Sequence, residues 1–289
     1  MATYEDGSAG SLIDVRGRQY DAIFGYSGDD TILADGLDSE AMGGSGNDSI
    51  VGNNLYYVEG NGGNDTILAA RDGVIVNGGS GNDLVDASAG QGGANLFGVS
   101  GDDTLTGSAF GDKLAGGSGN DSLVGNAGDD NVIGDIGDDV LYGNEGFDVL
   151  EGRSGSDTLF GGKDNDLLLG GPDSDVLYGN MGDDQLFGGG GNDLIFGGQG
   201  ADHIWCGDGY DTVAGNAGAD RFCIGSDVVG NTTITDFNYS QGDRIELAAG
   251  VTYTVSAGSN GGALITLSTG GQVTLQGVPP EQVAAGYFA

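Results

Sequence analysis

Positive charge is scarce in this chain of 289 residues. Eight Lys and Arg stand against 44 Asp and Glu, giving a net charge of −36 and a pI near 4.1. So acidic a molecule repels phosphate backbones and anionic lipid headgroups, which argues against nucleic acid and charged membranes as partners. Histidine occurs once, as His203. A zinc protease of the HExxH kind needs two, so that activity is excluded. Ser-His-Asp catalysis would have to use the same His203 without a G-x-S-x-G context. No apolar run approaches the ~18–20 residues that span a bilayer. The opening MATYEDGSAG lacks a basic stretch followed by an apolar core, so no Sec-type signal peptide is expected.

Glycine, by contrast, occurs 63 times, and it is periodic. From Gly98 to Cys223 the chain divides into 14 nine-residue units without a slip of register, among them GGSGNDSLV, GNAGDDNVI and GNMGDDQLF. Position 6 is always aspartate: Asp103, Asp112, Asp121, Asp130, Asp139, Asp148, Asp157, Asp166, Asp175, Asp184, Asp193, Asp202, Asp211 and Asp220. Position 8 is always apolar, from Leu105 to Phe222, and position 1 is glycine except at Cys206. Upstream, GYSGDDTIL, GGSGNDSIV, GNGGNDTIL and GGSGNDLVD repeat the unit with Asp30, Asp48, Asp65 and Asp83. Steps between these aspartates, and on to Asp103, are 18, 17, 18 and 20 residues. The segments between them lose the aspartate but keep an apolar residue at position 8, as Ala41, Val58, Val76 and Leu96.

The unit has two parts. Positions 1 to 6 are rich in glycine, so the backbone can enter left-handed conformations and turn its carbonyls toward one point. Positions 7 to 9 read as a three-residue strand with position 8 inward. Two units close one flattened coil, which stacks each position-6 carboxylate on the one 18 residues later at about 4.8 Å. Carboxylates that close repel unless a cation lies between them. A polar Gly/Asp chain would otherwise be disordered, but such a chain would not keep 14 apolar residues in phase.

These residues resemble the G-G-x-G-x-D-x-U-x nonapeptide of the repeats-in-toxin (RTX) family of secreted bacterial proteins. The resemblance implies an all-β fold, a parallel β-roll with two nonapeptides per coil, and Ca²⁺ bound along its turns. The eighteen aspartates from Asp30 to Asp220 are then the metal ligands. They form one row from Asp30 to Asp211 and a second from Asp112 to Asp220, with about 16 ions at most. Sixteen divalent ions bring roughly +32, close to the excess negative charge. After Cys223 the repeat stops; TTITDF, GDRIEL, TYTVSAG, ALITLSTG and QVTLQGV alternate like antiparallel strands, and ITDF…GDRIEL resembles the caps of RTX proteins. The expected organisation is an N-terminal capping segment (1–24), a divergent solenoid with one calcium row (25–97), a regular roll with two rows (98–223), and an antiparallel β cap with a type I secretion signal (224–289). EQVAAGYFA fits such a signal, and the type I apparatus is the implied export partner.

Several residues depart from the pattern. Phe110, Asp164 and Asp173 replace the fourth-position glycine and are expected to alter neighbouring sites. Asp29, Asp102, Asp129, Asp138 and Asp183, at position 5, are expected to face solvent. Cys206 and Cys223 lie 17 residues apart, one short of a coil; a disulfide between adjacent rungs and two buried thiols both remain open. Position 9 carries a ladder of Tyr142, Phe160, Tyr178 and Phe196, and the opposite face Leu169, Phe187 and Trp205, suited either to rung stacking or to a contact surface. Asn53, Asn54, Tyr56, Tyr57, Arg71 and Gln91 make the divergent edge a second candidate surface. With every in-register aspartate claimed by calcium and His203 read as a solvated strand residue, no catalytic constellation remains. The expected molecule is a non-enzymatic, calcium-folded protein, extracellular or at the cell surface, serving as a surface-layer, matrix or filament component that self-associates. A carbohydrate-binding or secretion-assisting module contacting cell-surface polysaccharide is the first alternative. A membrane-active secreted factor is the second, and it lacks an amphipathic segment. Ice binding would need flat Thr arrays at positions 7 and 9, which are absent.

Overall fold

The computed structural model describes all residues except 1–2, 6–9, 19, 21, 36–38, 226–229, 259–260 and 289; the repeat-like hint at Asp21 therefore lies outside the described residues. The chain divides into two compact units, Met1–Asp148 and Val149–Ala289. Both are parallel β-rolls, and the described residues contain no α-helix.

In the first unit the strands pair in parallel with those one coil away, and an interior strand has a partner on each side. Lys113–Ser118 lies between Asn95–Ser100 and Asn131–Ile136, and Ser122–Ala127 between Thr104–Thr106 and Val140–Glu145. Facing residues follow the step lengths of the sequence: Ile32 meets Ile50, Ile50 meets Ile67, Ile67 meets Val85, and Val85 meets Leu105. Thr3–Glu5 and Leu12–Asp14 join the same two stacks. The apolar residues at position 8 form the core; Leu105, Leu114, Leu123, Val132 and Leu141 are at most 1 % exposed. Each such side chain contributes roughly 1.5–3 kcal/mol by leaving water.

The strands from Lys113 to Gln199 run to five or six residues. Asn131–Ile136 (NVIGDI) covers positions 7 to 9 of one unit and 1 to 3 of the next. Its exposure alternates so that Val132 and Gly134 both point inward. Position 1 is thus in phase with position 8, and strand pairing runs on until position 4. There the chain turns with φ between +105° and +129° at Gly128, Gly119 and Gly137, a region open to glycine and costly for other residues.

The second unit repeats this from Val149–Ser154 to Leu194–Gln199, and then one long strand, His203–Ala217, bends from one stack into the other. The segments beyond Cys223 correct the expectation of antiparallel strands throughout. Gly230–Ile234 pairs in parallel with Gly209 to Val213, and Arg244–Leu247 in parallel with Arg221–Ile224. Both continue the roll, because Thr233 to Ile234 and Arg244 to Ile245 retain the strand residues of a unit whose glycines have gone. Only Tyr253–Ala257, Ala263–Leu267 and Gln272–Leu275 form antiparallel pairs, and the last of these also lies parallel to Gly230–Ile234. Phe237 packs on Phe222 (6.1 Å between ring centres) and on Tyr287 (5.1 Å), covering the end of the core.

Leu123→Ala should cost ~2–5 kcal/mol in guanidinium unfolding at saturating calcium, whereas Val124→Ala, on the outer face, should cost far less. Equal losses would contradict the inward assignment of position 8.

Candidate metal centre

The turns between strands place all eighteen repeat aspartates inside the protein, at most 3 % exposed. Within each unit they stack into columns joined by one kind of hydrogen bond. The main-chain N–H of each aspartate donates to Oδ1 of the aspartate one coil later: Asp30 to Asp48, Asp48 to Asp65, Asp65 to Asp83, Asp83 to Asp103 and Asp103 to Asp121, at 2.7–2.8 Å. Asp121 donates likewise to Asp139, and Asp112 and Asp130 to Asp130 and Asp148. In the second unit the columns are Asp157, Asp175, Asp193, Asp211 and Asp166, Asp184, Asp202, Asp220.

One carboxylate oxygen is thereby satisfied and the other is not. Oδ2 of Asp30, Asp48, Asp65, Asp83, Asp103, Asp121 and Asp130, and of Asp175, Asp184, Asp193, Asp202, Asp211 and Asp220, is buried without a hydrogen-bond donor. A buried anionic oxygen costs several kcal/mol unless a cation meets it. The glycine at position 1 explains where it points. A Cβ on Gly116 would overlap Asp121 Oδ2, and one on Gly98 would meet both Asp103 Oδ2 and, at 2.6 Å, the carbonyl of Gly116 in the next coil. At Gly98 and Gly116 glycine is therefore present for space, not for backbone freedom; Cys206, at position 1 before Asp211, is the exception in the regular repeat. Carboxylate and main-chain carbonyl oxygens converge at these glycines.

The donor set consists of hard oxygens, which fit Ca²⁺. Among the described residues no three acidic, histidine or cysteine side chains gather at one point, so the cradle depends on carbonyls as much as on carboxylates. Asp112 stands apart. Its Oδ1 accepts from Ala94 N, and its Oδ2 accepts from the N–H and hydroxyl of Ser108, so it is satisfied without a cation. This is the unit in which Phe110 replaces glycine.

Burial shifts these groups upward. Desolvation, with neighbouring carboxylates adding to it, pushes Asp130 up to about 8 and Asp103, Asp175, Asp193 and Asp202 to about 7. Asp48, Asp65, Asp83, Asp184, Asp211 and Asp220 rise to about 6, mainly from burial.

Position 5 does more than face solvent. Its residues are exposed, yet their side-chain oxygens accept the N–H of position 5 in the following coil: Asp29 from Asn47, Asp102 from Asn120, Asp129 from Phe147 and Asp183 from Ala201. This outer ladder runs opposite in sense to the inner one. Asp164 adopts φ +70°, and Asp173 Oδ2 accepts from Gly155 N, so both fill the turn position in different ways. Asp243 was not among the sequence candidates. It is buried and accepts from Asp220 N, closing one column, while its Oδ2 accepts from Asn238 N. The D-x-apolar pattern of Asp243–Ile245 is the signal that would have found it.

The divergent edge of the first unit is dry. Where the column would hold aspartate it holds Ser39, Leu55, Val74 and Ala94, and where position 1 would be glycine it holds Val15, Ala34, Ala69 and Ala87, all at most 3 % exposed. Losing the carboxylate frees the space that excluded a Cβ, and methyl groups fill it. Gly52 remains glycine because Leu55 Cδ1 occupies that space. The polar residues there hold loops: Asn54 donates to Asp35 O, Arg71 lies over the Tyr56 ring, and Gln91 donates to the Ala89 and Gly90 carbonyls.

The cysteines are not bonded. Cys223 faces Trp205 in the register, and Cys206 is the next residue after Trp205, so a one-residue offset puts the two thiols on opposite faces of the sheet. Burial pushes Cys223 up to about 12 and Cys206 further still. His203 is half-buried in its strand, 5.8 Å from the Trp205 ring. The outer aromatics stack: Phe160, Tyr178 and Phe196 at 4.9 and 5.0 Å, and Phe187 on Trp205 at 4.3 Å, within 8° of parallel. A family model for the RTX calcium-binding nonapeptide repeat matches residues 17–39, 40–54, 59–93, 97–132, 133–168, 169–204 and 196–227, well over half of the chain. No curated protein matches the chain.

Two outcomes are expected. The metal-free fold keeps protons on these carboxyls up to about pH 6–8, whereas the unfolded chain releases them near pH 4; folded chain binds more protons in that window, so its stability falls as pH rises. Circular dichroism in chelator should show β structure gained on acidification from pH 8 to 5 and little such dependence in calcium. Gly116→Ala should weaken calcium-induced folding, while Ala69→Gly on the dry edge should leave the calcium midpoint unchanged.

Proposed function

The chain belongs to the RTX calcium-binding nonapeptide repeat family, and from that premise we propose that it is a secreted scaffold whose folding is completed by extracellular Ca²⁺. The observation that carries this reading is the set of buried, donorless Oδ2 atoms stacked along the turns. We place one ion in each gap between consecutive column aspartates within a unit, held by Asp carboxylates and position-1 carbonyls. Asp112, already satisfied, contributes no site of its own. The bound ions supply positive charge and nothing redox or nucleophilic.

A chain of net charge −36 expands when metal is withheld. Extracellular calcium modules bind at ~10⁻⁴–10⁻³ M, well above cytosolic levels, so the chain would cross a type I secretion channel unfolded and collapse outside. The dry edge gives the first unit a calcium-independent seam on which this collapse can begin.

The role is structural and not enzymatic. His203 is the one histidine and no G-x-S-x-G motif accompanies it, and both thiols are buried. A polysaccharide-binding role finds little support in the aromatic ladders, because the rings of Phe160, Tyr178 and Phe196 stack on one another and present edges outward. Sugar platforms need exposed ring faces.

Calcium titration from chelator, followed by circular dichroism and calorimetry, should show cooperative folding with on the order of ten or more ions per chain. Asp121→Asn should shift the midpoint to higher calcium. A chain folded to the same degree with and without calcium would overturn the reading.

A further inference from the structure

Among the described residues no strand closes one edge of the cap, although the Phe288 ring stacks on Tyr253 there at 3.9 Å. The strand Tyr253–Ala257 pairs on one side with Ala263–Leu267 in an unbroken antiparallel register. Among the described residues no strand pairs with its other side. Gly258 N donates to Gly262 O and Ser268 N to Thr252 O, which sets the phase of the ladder. Antiparallel pairs alternate, so Thr254 and Ser256 turn their main-chain groups inward to the hairpin. Tyr253, Val255 and Ala257 turn theirs to the open edge. The turn Pro280–Gln282 passes nearby and forms no main-chain hydrogen bond with them.

Proteins ordinarily guard such an edge with charge, proline or a bulge. This strand has none of these. Residues 247–280 contain no Asp, Glu, Lys, Arg or His at all, in a chain of net charge −36. Tyr253, Val255 and Ala257 share a face with the buried Ala263, Ile265 and Leu267, yet they remain exposed or half-buried at the rim. Apolar surface and main-chain donors are thus offered together at the one long stretch where two polyanions can approach without repulsion.

We propose that the partner is a second copy of this chain, docked by antiparallel pairing of Tyr253–Ala257 across a two-fold axis through Val255. The inference rests on the structural role proposed above together with the self-association expected from the sequence, and it names the contact. The strand is self-complementary about that axis. Val255 faces Val255 of the other copy, and Tyr253 faces Ala257; all three pairs are of the hydrogen-bonded type, so six main-chain bonds form. Thr254 and Ser256 of opposite copies lie side by side on the solvent face. The pairing is isologous and closes at two copies, so it gives dimers and not fibres. The contact is small, which places it among transient interfaces.

Sedimentation velocity of the full chain in millimolar calcium tests this, at up to about 100 µM to populate a transient interface. The wild type should shift toward twice the 28.8 kDa chain mass. Thr254→Glu with Ser256→Glu sets like charges face to face on both sides of the axis and should return the protein to monomer. Thr254→Lys with Ser256→Glu sets opposite charges face to face and should restore the dimer. Both changes are on exposed side chains, and calcium-bound circular dichroism verifies that the fold is kept. Association that the Glu pair leaves unaltered overturns this contact while leaving the self-associating reading intact. A wild type monomeric throughout overturns both.

Discussion

The structure depends on an unpaired negative charge held inside a turn. The thirteen column aspartates with a donorless Oδ2 each spend the other oxygen on a main-chain N–H one coil earlier, and that bond fixes the free oxygen in a dry pocket, in most cases over a glycine Cα. A fold that does this once would be destabilised; this one does it along whole columns. On the proposed reading a cation supplies the opposing force, and the fold and its metal form one equilibrium. The same burial that raises these carboxyls toward neutral pH lets protons stand in, weakly, for the ion.

From this follows the linkage between positions 1 and 6 of the repeat. Where the carboxylate is present, as at Asp121, a methyl group at Gly116 has no room. Where it is absent, as beside Ala69 and Ala87, methyl groups enter and the edge is sealed by Leu55, Val74 and Ala94. The divergent edge is thus a second solution to the same turn, with hydrophobic burial in place of ion binding. Asn54, Arg71 and Gln91 hold loops at that edge, while Tyr56 stays exposed under the Arg71 guanidinium.

At the far end the roll keeps its period after its glycines have gone. Asp243 closes one column with both oxygens satisfied, Phe237 and Tyr287 cover the last core residue, and a neutral three-stranded piece completes one stack. The aspartate-rich repeat thus gives way to a stretch, residues 247–280, without a charged side chain.

The repeat alone determined the coil of two units, the inward row of apolar residues, the eighteen buried aspartates and even the irregular steps of 17 and 20 residues, because parallel stacking repeats each local pattern without alteration. What lay beyond it involved relations between coils or between faces. Strand length depended on position 1 sharing the phase of position 8. The fate of Asp112 depended on Ser108 reaching back four residues, and the separation of Cys206 from Cys223 on a register offset of one residue. The outer ladder at position 5 and the open edge at Val255 depended on which way main-chain groups point. A nine-residue period states what recurs along the chain; which atoms meet across it is decided only when the coils are stacked.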